Sequence, residues 1–345
     1  MRAAILAEGK LTIQDIPKPV PGHEDALVKL ITAGVCHSDL HIVKGDWTGG
    51  AARPAPMRLG HEGIGIVEEL GPEAEKYIQK GDRVILGLGG TGGGYWCGAC
   101  EYCLSGRPRL CSQAKGIMGT YAEYISLFAK SLVKLPEEVS NSEVPLACGG
   151  LTAYSAVKKL LKYDVLPGKP VAIVGAAGGL GHYAVQVAKT FGYVVIGVDI
   201  GQEKLDFVKN LGADYAVDAS EAQKFARDKL GGMYASIVFT PKIAGFELGL
   251  RMMRRGGVFV SVGMPAASEG GMLISPLNLL NRDPLIMASM VGTVEDMREL
   301  VQLAAAGKVK THVSRVGKLS EIDKILGELE EGKYYGRAII DDMTK

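Results

Sequence analysis

The six residues from Cys36 to His41 combine a potential metal ligand, a hydroxyl group and two histidines. A cysteine thiolate is a soft ligand for zinc. The Ser38 hydroxyl can pass a proton on, and His41 can accept one near neutral pH. A single buried cysteine is often only part of a hydrophobic core, so chemistry here depends on partners elsewhere in the chain. The candidate partners are His61, Glu62 and Cys148.

Cys36, His61 and Cys148 together have the composition of an open zinc site. Three protein ligands in such a site leave one position for water or substrate. Taken singly, His61 is better interpreted as a surface histidine and Glu62 as a solvated carboxylate. The prediction of a catalytic metal therefore depends on the complete set, with Glu62 as a spare carboxylate.

Four further cysteines in one short segment predict a second metal site: Cys97, Cys100, Cys103 and Cys111. Four thiolates can surround one zinc tetrahedrally and leave no position for a substrate, so such a site is structural. An iron–sulfur cluster, which also uses four cysteines, is the first alternative. A pair of disulfides is the second, and a reducing compartment disfavours it.

The segment from Gly175 to Gly181 is typical of a dinucleotide-binding turn. It follows the apolar run 171–174 and precedes a helical pattern and a second strand that ends at Asp199. Glycines let the backbone approach a pyrophosphate, and the helix amino terminus supplies N–H donors. Asp199 lies 18 residues after Gly181 and suits the adenosine ribose hydroxyls. Because an acid repels a 2′-phosphate, NAD is favoured over NADP.

That turn departs from the strict Gly-x-Gly-x-x-Gly spacing by one extra residue after Ala176. The alternative interpretation is a tight turn in an α/β protein that binds no cofactor. The strand before it and the strand and acid after it favour the nucleotide site.

Length and composition indicate which classes of protein to expect. A chain of 345 residues with 47% hydrophobic residues predicts two domains. The net charge of +1 gives no reason to expect nucleic acid or a membrane surface as a partner. The chain has no apolar run of transmembrane length, and its start lacks the features of a signal peptide. We therefore expect a cytoplasmic protein.

The order of predicted elements indicates an α/β fold of two parts. Residues 1 to about 135 predict short strands broken by turns, with the glycine run 89–94 as a flexible segment before the four cysteines. Residues 150–285 alternate strands and helices, which predicts a doubly wound parallel sheet. Ligands bind beyond the carboxyl ends of such strands, where Thr240, Gly263 and Val291 fall. We expect residues 286–345 to return to the first part.

With these motifs in this order, the chain resembles the zinc-containing medium-chain alcohol dehydrogenase family over essentially its whole length. The resemblance rests on these segments: Gly34–His41, Gly60–Gly63, Cys97–Cys111, Gly175–Gly181 with Asp199, Val262–Ala266, and Gly336 with Arg337. Residues 45–47 and 175–181 look particularly like those of microbial ethanol dehydrogenases.

The resemblance implies a Rossmann-type NAD-binding domain over 150–285, and a mostly β, GroES-like catalytic domain over 1–149 and 286–345. It implies reversible hydride transfer between a primary or secondary alcohol and NAD, with one catalytic and one structural zinc. It also implies a homodimer or homotetramer. A polyol or sugar dehydrogenase of the same family is one alternative, and a catalytically silent nucleotide-binding relative is another.

At the catalytic zinc, the resemblance gives a role to each matching residue. Cys36, His61 and Cys148 are the ligands, Glu62 ligates transiently, and Asp39 orients His61. Ser38 bonds the substrate hydroxyl, His41 ends a proton relay, and Trp47 narrows the alcohol pocket. We therefore expect alcohol oxidation to gain rate with rising pH through one ionisation. The 112–120 loop is shorter than in relatives, which leaves the preferred alcohol open.

For the cofactor, the resemblance implies that His37 and Arg337 contact the pyrophosphate and that Val262, Val291 and Thr293 lie on the nicotinamide side. The remaining expected cofactor contacts are Gly175, Gly178, Gly179, Leu180, Gly181, Asp199 and Lys204.

Overall fold

The computed structural model describes residues 1–47, 56–86 and 90–344, so Gly89 of the glycine run lies outside the described residues. The strands are β1 (Arg2–Ala7), β2 (Lys10–Asp15), β3 (Asp25–Val35), β4 (Met57–Arg58), β5 (Gly63–Leu70), β6 (Arg83–Leu86), β7 (Gly90–Tyr95), β8 (Lys115–Ile117), β9 (Tyr124–Phe128), β10 (Leu132–Lys134), β11 (Pro170–Val174), β12 (Val194–Asp199), β13 (Tyr215–Asp218), β14 (Met233–Val238), β15 (Met253–Ser261), β16 (Leu285–Ala288), β17 (Val313–Lys318) and β18 (Arg337–Asp342).

The α-helices are α1 (His37–Lys44), α2 (Glu101–Leu104), α3 (Gly149–Lys159), α4 (Gly181–Thr190), α5 (Gln202–Asn210), α6 (Ala219–Leu230), α7 (Ile243–Met252), α8 (Pro276–Arg282), α9 (Val294–Ala305) and α10 (Ile322–Glu330). Short 3-10 helices lie at Ala74–Lys76, Pro108–Leu110, Ala129–Ser131, Asn141–Ala147, Leu160–Tyr163, Ala267–Glu269 and Leu319–Glu321. Among the described residues, no helix is both long enough and apolar enough to cross a membrane.

The chain divides into two units, and the first comprises Met1–Leu151 with Val291–Lys345. Its main sheet has the order β10-β6-β5-β3-β18-β17, and β9 also pairs with β3. The last strand, β18, runs antiparallel to β3 with Ala338 opposite Val35, so the tail returns to this unit as expected. Alternate residues of the strands are apolar and buried on one face, and they form the core of the unit with α10.

The second unit, Thr152–Met290, contains a six-stranded parallel sheet in the order β13-β12-β11-β14-β15-β16. The prediction of a doubly wound sheet is therefore confirmed. Val171 to Val174 of the central strand β11 are all buried, as is typical of a strand covered on both faces. The strand order reverses between β11 and β14, the place in such sheets where ligands bind. The roles of the two units as catalytic and NAD-binding domains stay predictions.

The sequence pattern predicts a strand that opens at His61 and Glu62, but β5 begins just after them, at Gly63. The pattern also predicts a strand over 285–290, of which Leu285–Ala288 forms β16 at the edge of its sheet. An apolar run looks the same in an internal strand and in an edge strand, so its sequence did not distinguish the two positions.

Candidate active site

Four buried side chains from distant parts of the first unit meet in one cluster. One ligand atom from each of Cys36, His61, Glu62 and Cys148 lies within 4.8 Å of all the others. Cys36 follows β3, His61 and Glu62 precede β5, and Cys148 precedes α3. Strands β3 and β5 are paired, with Ala33 opposite Gly63, so the sheet brings the first three side chains together.

The charges of this cluster support one another. A hydrogen bond from Cys148, with the nearby His61, holds the pKa of Cys36 well below its usual value despite burial. Burial by itself would lower the pKa of His61, but the charges of Asp39, Cys148 and Cys36 raise it well above the usual value. The cluster therefore favours a thiolate beside an imidazolium held by an acid, and a bound cation would take the place of the imidazolium proton.

Asp39, on the first turn of α1, contacts the Nδ1 atom of His61 and so fixes the orientation of its ring. Its Oδ1 lies 3.3 Å from Nδ1 of His61 and accepts the N–H of Gly60 at 3.0 Å. Its Oδ2 accepts the hydroxyl of Tyr121 at 2.9 Å. Gly60 has φ of 86°, and a Cβ there would lie 2.6 Å from Oγ1 of Thr120. Only glycine fits this corner, which presents His61 to the cluster.

Glu62 forms a buried ion pair with Arg337 of β18, whose side chain is 3% exposed. Burial raises the pKa of Glu62 to about 7, against the opposing effect of Arg337. A Cβ on Gly34 would lie 1.9 Å from Oε2 of Glu62, so this glycine makes room for the carboxylate. The structure thus shows Arg337 in contact with Glu62, and its expected contact with a pyrophosphate stays a prediction.

His41 lies near the carboxyl end of α1, with its Nδ1 2.6 Å from Oδ2 of Asp46. The Trp47 ring lies against it, with centroids 4.9 Å apart, and the centroid of the His37 ring lies 5.3 Å from that of His41. Ser38 is half-buried on the first turn of the same helix, and His37 is exposed. The short helix therefore carries Ser38, Asp39 and His41.

The other four cysteines form a second cluster around α2. Their Sγ atoms lie 3.5 Å apart for Cys100 and Cys103, 3.6 Å for Cys97 and Cys111, and 3.9 Å for Cys97 and Cys103. Tetrahedral zinc with bonds of about 2.3 Å requires sulfur separations of about 3.8 Å. Backbone N–H groups of Ala99 and Cys100 lower the pKa of Cys97 to about 6, which favours a thiolate.

Both clusters fit zinc by the chemistry of their donors. All six cysteines are free thiols, so the disulfide alternative is not the state of this structure. The first cluster offers two sulfurs and an imidazole, a combination suited to zinc with a position left open. The second offers four sulfurs and no open position.

In the second unit, the glycine turn has the geometry expected of a nucleotide site. Gly175 has φ of 81°, and a Cβ on Gly181 would lie 2.0 Å from the Gly175 carbonyl oxygen. Asp199, at the end of β12, accepts the N–H of Ala177 at 2.9 Å, and Nζ of Lys204 lies 3.7 Å from it. The turn, the helix start and the acid are thus adjacent, a fit for the ribose and pyrophosphate of NAD.

The residues expected to contact the nicotinamide lie just after two strands and at the start of a helix. Val262 follows β15, and Val291 follows β16 with φ of 53°, a conformation that is rare for a β-branched residue. Thr293 caps α9, where its hydroxyl accepts the N–H of Asp296 at 3.0 Å. These contacts stay predictions.

Sequence reasoning missed two polar partners, Tyr121 and Asp46. Tyr121 is fully buried and lies 82 residues from Asp39 in sequence, so no local pattern marks their contact. Asp46 stands in a helix-ending Gly-Asp pair, for which a turn is sufficient explanation. The one signal for Asp46 in the sequence is its position five residues after His41.

Comparison with known proteins shows that the chain is similar to alcohol dehydrogenases over its whole length. Residues 22–137 match the family model of the alcohol dehydrogenase GroES-like domain, and residues 179–306 match that of zinc-binding dehydrogenases. An alcohol dehydrogenase of Geobacillus stearothermophilus is 38% identical, with 99% of each chain covered.

Solved structures of alcohol dehydrogenases are similar to this chain over its whole length. The alcohol dehydrogenase of the archaeon Aeropyrum pernix has a TM-score of 0.87 at 34% identity, covering 99% of each chain. A cobalt- and zinc-bound thermostable alcohol dehydrogenase of Pyrobaculum aerophilum has a TM-score of 0.85 at 28% identity, also covering 99% of each chain.

Proposed function

The chain belongs to the zinc-containing medium-chain alcohol dehydrogenase family, and we propose that Cys36, His61 and Cys148 form its catalytic zinc site. It is accordingly an oxidoreductase that acts on alcohols with zinc and NAD. The observation that carries the site assignment is the buried cluster of these three side chains with Glu62, in which the ligand atoms lie within 4.8 Å of one another.

Each protein group has a distinct part in this proposal. When bound, zinc supplies a Lewis acid for the alcohol oxygen, and NAD accepts the hydride. Asp39 keeps His61 oriented, and Glu62 with Arg337 supplies a second charged pair beside the ligands. Ser38 bonds the alcohol hydroxyl, and His41 receives its proton and returns it to solvent. Trp47, against His41, narrows the space for the alcohol.

We propose that the four-cysteine cluster holds the structural zinc and that the turn 175–181 with Asp199 holds NAD. A cluster of four sulfurs at separations of 3.5 to 3.9 Å supports the former. The carboxylate at the end of β12, next to the turn, supports the latter and favours NAD over NADP.

A homodimer or homotetramer is the assembly that we propose. Strand β16 is the edge of its sheet, and edge strands leave backbone groups open to pairing. Leu285 and Ile286 of this strand are 40% and 39% exposed, and Leu280 of α8 is 81% exposed. Burial against a second copy of the chain would remove this apolar surface from water. Ile286→Lys should lower the mass measured by analytical ultracentrifugation.

We also propose a cytoplasmic location. The support is chemical, because the described cysteines are free thiols arranged as metal ligands, a state that a reducing compartment maintains.

The test pairs metal content with turnover. We expect about two zinc ions per chain and NADH formation with simple alcohols, using a panel of primary, secondary, aromatic and polyol substrates. NADH formation with the polyols alone would support the polyol dehydrogenase alternative. About one zinc per chain without turnover would contradict the catalytic site and support a silent nucleotide-binding protein.

A further inference from the structure

At the carboxyl end of α1 the chain folds back so that Asp46 meets His41. Gly45 adopts the left-handed conformation with φ of 68°. Its N–H donates to the Ile42 carbonyl oxygen at 3.2 Å. The N–H of Asp46 donates to the carbonyl oxygen of His41 at 3.0 Å. This is a Schellman ending, which frequently brings together two apolar side chains from these same positions. Here the two side chains are a carboxylate and an imidazole.

The side-chain contact completes this arrangement. Oδ2 of Asp46 lies 2.6 Å from Nδ1 of His41, with the two side chains 25% and 11% exposed. Trp47 and His37 lie against the same imidazole, with ring centroids at 4.9 and 5.3 Å. The ring of His41 therefore has two aromatic neighbours, and a charged acceptor contacts one of its nitrogens.

Helix capping does not explain an acid at this position. The carboxyl end of a helix carries partial negative charge and favours cations, so Asp46 is unfavourable there by itself. The neighbouring cations have other partners, since Lys44 pairs with Glu330 and Arg337 pairs with Glu62. The charge of Lys44 also acts on Asp46, but the direct side-chain contact that offsets its unfavourable position is the one with His41.

We propose that Asp46 is a positioning residue that holds His41 with its proton on Nδ1, which leaves Nε2 free to accept the proton of the alcohol. When Nε2 gains that proton, the carboxylate stabilises the resulting imidazolium, and Nε2 then releases the proton to water. The inference rests on the proposed function and adds a residue to it.

Kinetics of three variants test this role: Asp46→Asn, His41→Gln and the double variant, with Glu330→Gln as the matched control. Glu330→Gln also removes a carboxylate near α1 but does not contact His41. We expect Asp46→Asn to lower kcat for alcohol oxidation roughly tenfold at pH 7, with recovery at high pH, where solvent base accepts the proton. In the His41→Gln background the same change should cost nothing further. Asp46→Glu, which keeps the charge, should recover part of the rate.

A second readout does not depend on turnover. The ¹⁵N signals of the His41 ring, assigned by their loss in His41→Gln, should show a protonated Nδ1 in the wild type and a shifted tautomer balance in Asp46→Asn. Zinc content and Tm, measured on every variant, separate these effects from unfolding.

The inference would be overturned if Asp46→Asn had the same pH profile and the same ring signals as the wild type. It would also be overturned if the effects of Asp46→Asn and His41→Gln on kcat were fully additive in the double variant. If Asp46→Asn does not fold, Asp46→Ser, which also removes the carboxylate, is measured in its place, and unchanged ring signals in Asp46→Ser would likewise overturn the inference. A wild type that oxidises no alcohol would overturn the proposed function, while the ring signals would still decide whether Asp46 fixes the tautomer.

Discussion

The carboxylate of Asp39 lies 3.3 Å from Nδ1 of His61, and both side chains are almost fully buried. The same carboxylate accepts the Gly60 N–H and the Tyr121 hydroxyl. Three donors from two segments of the chain therefore fix one acid, and that acid fixes the orientation of the proposed zinc ligand.

The first prediction concerns metal retention at this ligand. Asp39→Asn should weaken zinc binding about 10- to 100-fold, because an amide holds the imidazole less firmly and carries no charge. The measurement is the rate of zinc transfer to a chromogenic chelator, with the zinc of the four-cysteine cluster as an internal standard. Tyr121→Phe, which keeps the carboxylate and removes one donor, should have a smaller effect. Equal release rates in Asp39→Asn and wild type would contradict the role of Asp39.

The second prediction concerns the four-cysteine cluster. Cys103→Ser should reduce the zinc content from about two to about one per chain and lower the Tm, since three remaining sulfurs bind zinc less tightly. Ser105→Ala changes the same loop without touching a sulfur and should keep both ions. Elemental analysis that finds iron in place of zinc would instead support the iron–sulfur alternative.

The third prediction concerns coenzyme choice. Asp199→Ala should lower kcat/KM for NAD and raise it for NADP, shifting their ratio roughly tenfold or more, since a charged hydrogen bond is lost and a repulsion is removed. Steady-state rates with both coenzymes give the ratio. Asp206→Ala removes an exposed carboxylate from the nearby helix α5 and serves as the control. An unchanged ratio would mean that Asp199 does not face the ribose.

The fourth prediction concerns stability against pH. Burial raises the pKa of Glu143 above its usual 4.5, although Thr311 donates to it from its N–H at 2.9 Å and its hydroxyl at 2.6 Å. The native state then binds the proton more tightly than the unfolded chain. The free energy of unfolding that Glu143 contributes therefore falls as pH rises from about 4.5 through the raised value.

Glu143→Gln removes this ionisation. We expect the urea midpoint of the wild type, measured relative to Glu143→Gln, to fall as pH rises through that window. Glu138→Gln removes an exposed carboxylate nearby and should leave the pH dependence of the wild type unchanged. A constant difference between wild type and Glu143→Gln at all pH values would show that burial does not perturb this group.

The sequence by itself predicted the two sets of candidate metal ligands and the glycine turn, and the structure brings the members of each set together. Ligand type and short spacing carry this information, since the four cysteines lie within 15 residues of chain and the turn lies between an apolar strand and a helix. Alternating strands and helices likewise specified the parallel sheet, because each element has its own hydrophobic period.

Only the tertiary structure decided which side chains support these sets. Arg337 meets Glu62 across 275 residues of sequence because β18 and β5 flank the same strand, β3. Tyr121 meets Asp39 across 82 residues, and no local pattern marks either contact. Asp46 is close to His41 in sequence, yet their contact depends on the backbone turn at Gly45. Long-range contacts follow from strand order and backbone direction, and neither is encoded in the residue types of one segment.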